Sequence, residues 1–201
     1  SGLPTQLAWT LPAGFRAGEI RWPVPQAIPV GPLVNYGYED EILLAVDVAV
    51  PAGFAGPTLE VGLKAEWLVC REVCIPEEGA FVLSVPTTGS TVGEAAAFAA
   101  ADARQPKPAP GATARATVSA DGAVLSVVAE GLPAAARGKS LVFFAETPNT
   151  IEHAARTTQS WQGDRWSVSV PLSPQRSESP ATMPALLVDP ASGSGWPVAV
   201  A

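Results

Sequence analysis

Residues 59–76 read LEVGLKAEWLVCREVCIP and combine a regular alternation of side chains with a close pair of cysteines. From Leu59 to Val69 the odd positions carry apolar side chains, and the even positions carry mostly polar ones. A period of two over this length predicts a strand with one buried face and one exposed face. The strand leads into Cys70 and Cys74, which are the only two cysteines of the chain.

The spacing of the two cysteines restricts how the chain continues. Residues four apart in a straight strand are separated by about 13 Å, whereas a disulfide needs Cα atoms about 4.4–6.8 Å apart. Pro76 blocks a helix after the pair, and Phe81 begins a second alternation that ends at Pro86. We therefore predict a hairpin with the two thiols at its tip. If the first strand keeps its register, Cys70 lies on the polar, solvent-facing side.

A bond between these cysteines would add little to folding. Closing a loop of about five residues removes roughly 2 kcal/mol of unfolded-chain entropy. The chain of 201 residues is also long enough to bury a core without such a bond. A redox or metal-binding role is therefore favoured over a purely structural disulfide, which stays open as an alternative.

The composition describes a folded, strand-rich chain. Hydrophobic residues make up 47% and charged residues 15%, while 21 prolines and 18 glycines favour short strands and turns over long helices. The net charge of -7 provides no basic surface for nucleic acid. No apolar run is long enough to cross a bilayer. Because the chain starts at Ser1 without methionine, we expect that a signal peptide or upstream sequence has been removed.

The pattern along the chain predicts an all-β fold of two immunoglobulin-like β-sandwich domains. The first domain is residues 1–90, with an extended, proline-punctuated segment to about residue 34 and strands near 42–50, 59–69 and 80–85. Residues 91–111 are interpreted as a short Ala-rich helix, opened by a Thr91–Glu94 capping box, and a Pro-rich linker. Residues 112–201 form the second domain, with strands near 117–118, 124–128, 141–145, 166–170, 186–188 and 198–200. An Asp121-Gly122 turn predicts a hairpin between the first two of these.

Few other residues suggest chemistry. His153 is the single histidine and has no motif around it. Two cysteines at this spacing can hold Cu(I), and His153 is the one residue that could supply a third ligand. A Cu(I)-binding or copper-delivery domain is therefore an alternative function. A structural zinc site needs four ligands, and the pair with one histidine supplies three. A non-catalytic β-sandwich interaction module is the third hypothesis.

The order of several motifs carries a resemblance to a known family. These are Trp22-Pro23-Val24-Pro25, then Asn35-Tyr36-Gly37-Tyr38-Glu39, then a strand, then Leu68-Val69-Cys70 through Cys74-Ile75-Pro76-Glu77. Over residues 9–86 the chain resembles the periplasmic N-terminal domain of the DsbD thiol:disulfide interchange family, and most closely its ScsB-like branch. Residues 112–201 resemble the second immunoglobulin-like domain of ScsB-type proteins more loosely.

The resemblance implies a periplasmic domain of a bacterial inner-membrane protein that exchanges thiols and disulfides without a metal or organic cofactor. Its electron donors would be the membrane-embedded and C-terminal thioredoxin-like domains of the same protein. Its acceptors would be periplasmic thioredoxin-fold oxidoreductases of the ScsC or DsbC kind. Carried over, Cys74 is the attacking thiol and Cys70 the resolving thiol.

The resemblance also implies a cap over the cysteine pair. The family's cap loop matches Asn35 to Tyr38, so Tyr36 or Tyr38 would lie over the sulfurs. Between the cysteines, Arg71 favours a thiolate and Glu72 opposes it, so these two residues are candidates for tuning the thiol pKa values. DsbD itself spaces its cysteines more widely, which puts the transfer of its cap geometry in question.

Overall fold

Fourteen strands and one short helix build residues 2–89 and 93–201, which are the residues that the computed structural model describes. The all-β prediction is confirmed. Contacts divide the chain into two units, residues 1–103 and 104–201. Thr91 of the predicted capping box lies outside the described residues.

The first unit contains three small sheets. Seven strands form them: β1 (Gln6–Thr10), β2 (Arg16–Arg21), β3 (Gln26–Val30), β4 (Leu33–Gly37), β5 (Ala45–Ala49), β6 (Thr58–Cys70) and β7 (Cys74–Pro86). The strand orders of the sheets are β1-β6-β7, β2-β5 and β3-β4, and every pair is antiparallel. The predicted helix α1 (Ala95–Ala103) follows these strands.

The proline-rich segment before residue 35 contains more regular structure than its sequence indicates. It forms β1, β2 and β3 and begins β4, and each of these strands lies at the edge of a sheet or in a two-stranded sheet. Pro29 lies inside β3. Proline has no backbone N–H to donate to a ladder, so it is tolerated in such strands and not in a central one. The sequence analysis predicted an extended segment here and missed the pairing of its strands.

The central strand of the first unit is β6, which the alternation predicted. Its buried residues, Leu59 and Ala65, lie at odd positions, whereas Lys64 and Glu66 are exposed. Phe15, Val24 and Ala45 are also buried in this unit. Antiparallel pairing of β6 with β7 runs without a register shift from Thr58 opposite Pro86 to Cys70 opposite Cys74. The longest hairpin of the unit thus ends at the two cysteines.

The second unit is a sandwich whose halves are linked at one point. Its strands are β8 (Thr113–Val118), β9 (Val124–Glu130), β10 (Val142–Ala145), β11 (Thr158–Gln162), β12 (Arg165–Pro171), β13 (Met183–Asp189) and β14 (Ser194–Val200). They are arranged in the order β10-β13-β14-β8-β9-β12-β11. The β14–β8 pair is parallel and joins at Val200 and Ala114, while the other pairs are antiparallel.

Both halves of this sheet bury side chains in one core. Trp166 and Val127 come from one half and Trp196 and Leu187 from the other, and all four are almost fully buried in the same cluster. The hairpin predicted at Asp121-Gly122 is confirmed, since β8 and β9 pair across it. Strand β11 was not predicted, because its residues, TQSWQ, include only one large apolar side chain.

Residues 104–111, predicted as part of the linker, belong to the second unit and contact other segments of it. The backbone N–H of Lys107 donates to the carbonyl of Gly195 at 2.8 Å. Gly131 passes close to Gly111, so a Cβ atom at Gly131 would lie 2.1 Å from the Gly111 carbonyl oxygen. Gly131 has a φ of 68°, which side-chain-bearing residues rarely adopt. The close approach of the two backbone segments therefore requires glycine at position 131.

Candidate functional site

A disulfide joins Cys70 and Cys74 at the tip of the β6–β7 hairpin. Cys70 is the last residue of β6 and Cys74 the first of β7, and their Cα atoms are 4.0 Å apart. The loop between them is residues 71–73. Two alternating strands place cross-strand neighbours on the same face, so the fold itself brings the two sulfurs together. The predicted hairpin is confirmed.

The two cysteines differ in exposure. Cys70 is exposed and continues the face of Lys64 and Glu66, as the strand register predicted. Cys74 is half-buried. The disulfide thus joins an exposed residue to a half-buried one.

The residue that contacts the disulfide from another sheet is Asn35. Its Nδ2 atom lies 4.0 Å from Sγ of Cys74. Asn35 is on β4, which pairs with β3 in a hairpin that turns at Gly31, with a φ of 59°. An amide N–H is a donor and a sulfur atom is a weak acceptor, so the contact favours negative charge on Cys74. Asn35 is one of the predicted cap residues, and it contacts a sulfur atom of the pair.

The two tyrosines of the predicted cap, Tyr36 and Tyr38, lie at the end of β4 and directly after it. The Tyr38 hydroxyl donates to the carbonyl oxygen of Pro23 at 2.7 Å, and its ring stacks on Trp22 with centroids 6.5 Å apart. Burial raises the pKa of Tyr36 well above its usual value. Tyr38 thus connects β4 to the proline-rich segment. A position of either ring over the sulfurs stays a prediction.

Arg71 and Glu72 both lie exposed in the loop between the cysteines. The backbone N–H of Arg71 donates to the Val73 carbonyl at 3.3 Å within that loop. Two opposite charges thus flank the disulfide in a solvent-exposed position. Their effect on the thiols stays a prediction.

The surface around the disulfide is more apolar than the sequence suggested. Val73 is 67% exposed, Ile75 55% and Val69 48%, and each is adjacent to a cysteine. A groove of about 530 Å³ adjoins this surface, and it is lined by Leu3, Pro4, Gln6, Glu66, Trp67, Leu68, Pro76, Glu77 and Glu78. The sequence does not predict this groove, because the N-terminal residues that form one of its walls show no hydrophobic alternation. The alternation assigned the odd positions to the buried face, so the exposure of Val69 at the end of the strand departs from the prediction.

His153 lies in the second unit, where partial burial lowers its pKa. In residues 2–89 and 93–201, no group of three or more His, Cys, Asp or Glu side chains is placed to hold a metal ion. The copper hypothesis therefore has no ligand set beyond the cysteine pair in the described part of the chain.

No helix in the described ranges is long and apolar enough to cross a membrane.

Three comparisons with known proteins bear on the site. Residues 2–86 match the family model for the N-terminal domain of the thiol:disulfide interchange protein DsbD. No curated protein matches the chain. The crystal structure of the N-terminal periplasmic domain of ScsB from Proteus mirabilis aligns with a TM-score of 0.62 and 15% identity, over 98% of this chain and 76% of that chain.

The resemblance inferred from the motifs is thereby confirmed. At 15% identity the likeness to ScsB concerns the fold. The family match is to the sequence of the first unit, and it includes Asn35, Cys70 and Cys74.

Proposed function

We propose that this chain, whose residues 2–86 match the N-terminal domain of DsbD, is a periplasmic electron-transfer domain of a bacterial inner-membrane protein. It takes electrons from a membrane-embedded partner domain and reduces periplasmic thioredoxin-fold proteins. The observation that carries the proposal is the Cys70–Cys74 disulfide at an exposed hairpin tip within the matched residues.

The reaction is thiol–disulfide exchange in two steps. In the reduced domain the Cys74 thiolate attacks one sulfur of the partner's disulfide, and the other partner sulfur leaves as a thiolate. The Cys70 thiolate then attacks Sγ of Cys74 and releases the second partner sulfur. The partner gains two electrons and the domain regains its Cys70–Cys74 bond. No metal or organic cofactor takes part in these steps.

The contacts around the pair support different roles for its two members. Asn35 places a donor beside Cys74, which favours the thiolate needed for attack. Cys70 is held opposite Cys74 by the strand pairing, so it is positioned to resolve the mixed disulfide. Arg71 and Glu72 would tune the thiol pKa values, and Tyr36 or Tyr38 would help to exclude other thiols.

The short loop and the exposed tip suit a bond that is made and broken repeatedly. Disulfides that are easily reduced tend to be catalytic or regulatory. The apolar residues Val69, Val73 and Ile75 surround the bond and suit contact with a protein partner.

Trapping of the mixed disulfide tests the proposal. The Cys70→Ser variant lacks the resolving thiol, so it should accumulate a reductant-sensitive adduct in periplasmic extract. Mass spectrometry should identify the partner as a thioredoxin-fold protein bonded through Cys74. The matched control is Cys74→Ser, which should trap far less.

A direct assay uses purified components. The prereduced wild-type chain should reduce an oxidised periplasmic thioredoxin-fold protein, and the double serine variant should not. If neither the adduct nor the reduction is observed, the proposed function is wrong.

A further inference from the structure

We propose that Glu66 and Glu78 select the acceptor protein, by pairing with a basic side chain that the acceptor carries about 13 Å from its reactive sulfur. This inference rests on the proposed thiol–disulfide exchange and specifies which partners take part in it. The two carboxylates belong to the same hairpin as the disulfide, and they line the groove beside it.

Strand pairing places the two carboxylates and the disulfide on one face of the hairpin. Glu66 and Glu78 are directly opposite each other in the β6–β7 ladder, as Cys70 and Cys74 are four residues nearer the tip. Side chains separated by an even number of residues in a strand share a face, so all four lie on the same side of the sheet. A rise of about 3.3 Å per residue puts the carboxylate pair about 13 Å from the cysteine pair along the strands.

An apolar surface separates the two pairs. Leu68 and Pro76 are opposite each other between them, and both line the groove. Trp67, Leu3 and Pro4 add further apolar side chains to its lining. A specific interface buries about 800 Å² on each partner, which is a patch roughly 30 Å across. A protein that is bonded to the disulfide therefore also covers the two carboxylates.

The opposed carboxylates are unfavourable for the sheet that carries them. Like charges directly opposite each other on paired strands destabilise a sheet. Both side chains are exposed, and the salt bridges among the described residues involve other carboxylates, those of Asp47, Asp102 and Glu130. Lys64, a cation on the same face, lies two residues farther from the tip and is in none of these salt bridges. A cation supplied by a partner would turn the repulsion into attraction.

The charge of the whole hairpin tip has the same sign. Residues 65–80 contain four glutamates and one arginine, and the entire chain carries a net charge of -7. Opposite charges across an interface raise the rate of encounter and disfavour wrong partners. A basic patch beside the acceptor's reactive cysteine is therefore the complement of this surface.

The acceptor gains more from this attraction than the donor does. In the proposed function the donor domain belongs to the same protein, so the connecting chain already sets its local concentration. The acceptor arrives by diffusion and has to be distinguished from other periplasmic proteins. Charge steering acts on this bimolecular step.

Two rigid peptide disulfides serve as probes in place of the natural acceptor. Each peptide has capped ends and consists of a cysteine, three prolines and a fifth residue, which is arginine in one peptide and glutamate in the other. Each is used as the dimer joined by its cysteines. Polyproline rises about 3.1 Å per residue, so the charged residue lies about 12 Å from the cysteine. The prereduced chain converts one dimer into two peptide thiols and regains its Cys70–Cys74 bond, and chromatography of acid-quenched samples gives the rate.

We expect the arginine peptide to react about tenfold faster than the glutamate peptide at about 50 mM salt, and this ratio to shrink at about 0.5 M salt. Each of Glu66→Gln and Glu78→Gln should lower the ratio, and the double variant should bring it to about threefold or less. The matched control is Glu60→Gln, an exposed carboxylate on the same face of β6 but six residues farther from the tip than Glu66. It should leave the ratio unchanged.

Equal rates for the two peptides, or an undiminished ratio in the double variant, would overturn the selection by Glu66 and Glu78. Failure of the chain to reduce the arginine peptide would overturn it as well. The proposed function is judged separately, by the mixed disulfide and by the reduction of an oxidised thioredoxin-fold protein.

Urea denaturation separates selection of a partner from a structural role. Because each glutamine variant removes the repulsion between the opposed carboxylates, the unfolding midpoint of the first unit should rise while the peptide ratio falls. A lower midpoint in Glu66→Gln or Glu78→Gln would mean that the carboxylates support the fold, and it would overturn the proposal.

Discussion

Reduction of the disulfide should lower the stability of the first unit by a small and calculable amount. The bond closes a loop of about five residues, which corresponds to about 2 kcal/mol of unfolded-chain entropy. In the folded protein the β6–β7 ladder from Thr58–Pro86 to Cys70–Cys74 already holds the two cysteines together. Breaking the bond at the exposed tip therefore leaves the ladder and the buried residues Leu59 and Ala65 in place.

The same quantity links folding to redox chemistry. A bond that stabilises the folded state by about 2 kcal/mol is also harder to reduce in the folded state than in the unfolded chain, by about 40 mV for two electrons. The shift is small, so folding leaves the pair able to cycle. A bond with a purely structural role would require a far larger difference in reduction potential between the folded and the unfolded chain.

Hydrogen–deuterium exchange with mass spectrometry measures this effect in each unit separately. After reduction with a phosphine, protected amides of β6 should exchange about 30-fold faster, the factor that corresponds to 2 kcal/mol. The exchange rates of β12 amides in the second unit should be unchanged. The double variant Cys70→Ser/Cys74→Ser is the control, since its β6 amides should exchange like those of the reduced protein with or without phosphine.

Two results would refute this reasoning. A loss of more than about 4 kcal/mol in the first unit would mean that the bond does far more than close a short loop. An equal loss of protection in β12 would mean that the stability of the second unit depends on the disulfide, contrary to the division at residues 103 and 104.

Three further predictions concern residues other than the cysteines. Gly131→Ala should destabilise the second unit by about 3 kcal/mol or more in urea denaturation, while Gly122→Ala, which has a φ of 73° and open space around it, should cost only about 1 kcal/mol. The lowered pKa of His153 means that the unfolded chain gains a proton at a higher pH than the folded unit, so stability should fall as the pH drops through about 6.5. Thermal unfolding of His153→Gln should lose that part of the pH dependence, and an unchanged profile would contradict the assignment. Tyr38→Phe should destabilise the first unit by about 1 kcal/mol in urea, because it removes the hydroxyl bond to Pro23 and keeps the ring; no loss of stability would refute the importance of that bond.

Local patterns predicted much of the fold. The alternation from Leu59 to Val69 gave the central strand, since side-chain direction in a strand depends only on position along the chain. The helix at Ala95–Ala103 and the turn at Gly122 followed from residue preferences of the same local kind. The strand pairing of the proline-rich segment was harder to predict. Proline limits a strand to the edge of a sheet, but it does not determine which strand is the partner.

The amino-acid pattern alone was enough to locate the disulfide. With two cysteines four residues apart and alternating flanks on both sides, backbone geometry permits a disulfide only across a turn, and the structure has one there. Only the tertiary structure decided that Asn35 lies beside Cys74, 39 residues away in the chain, and that β1 ends before it reaches Cys70. Such contacts depend on how separate sheets pack, and no local periodicity encodes packing between distant segments. The sequence therefore located the disulfide, and the packing made its two sulfurs unequal.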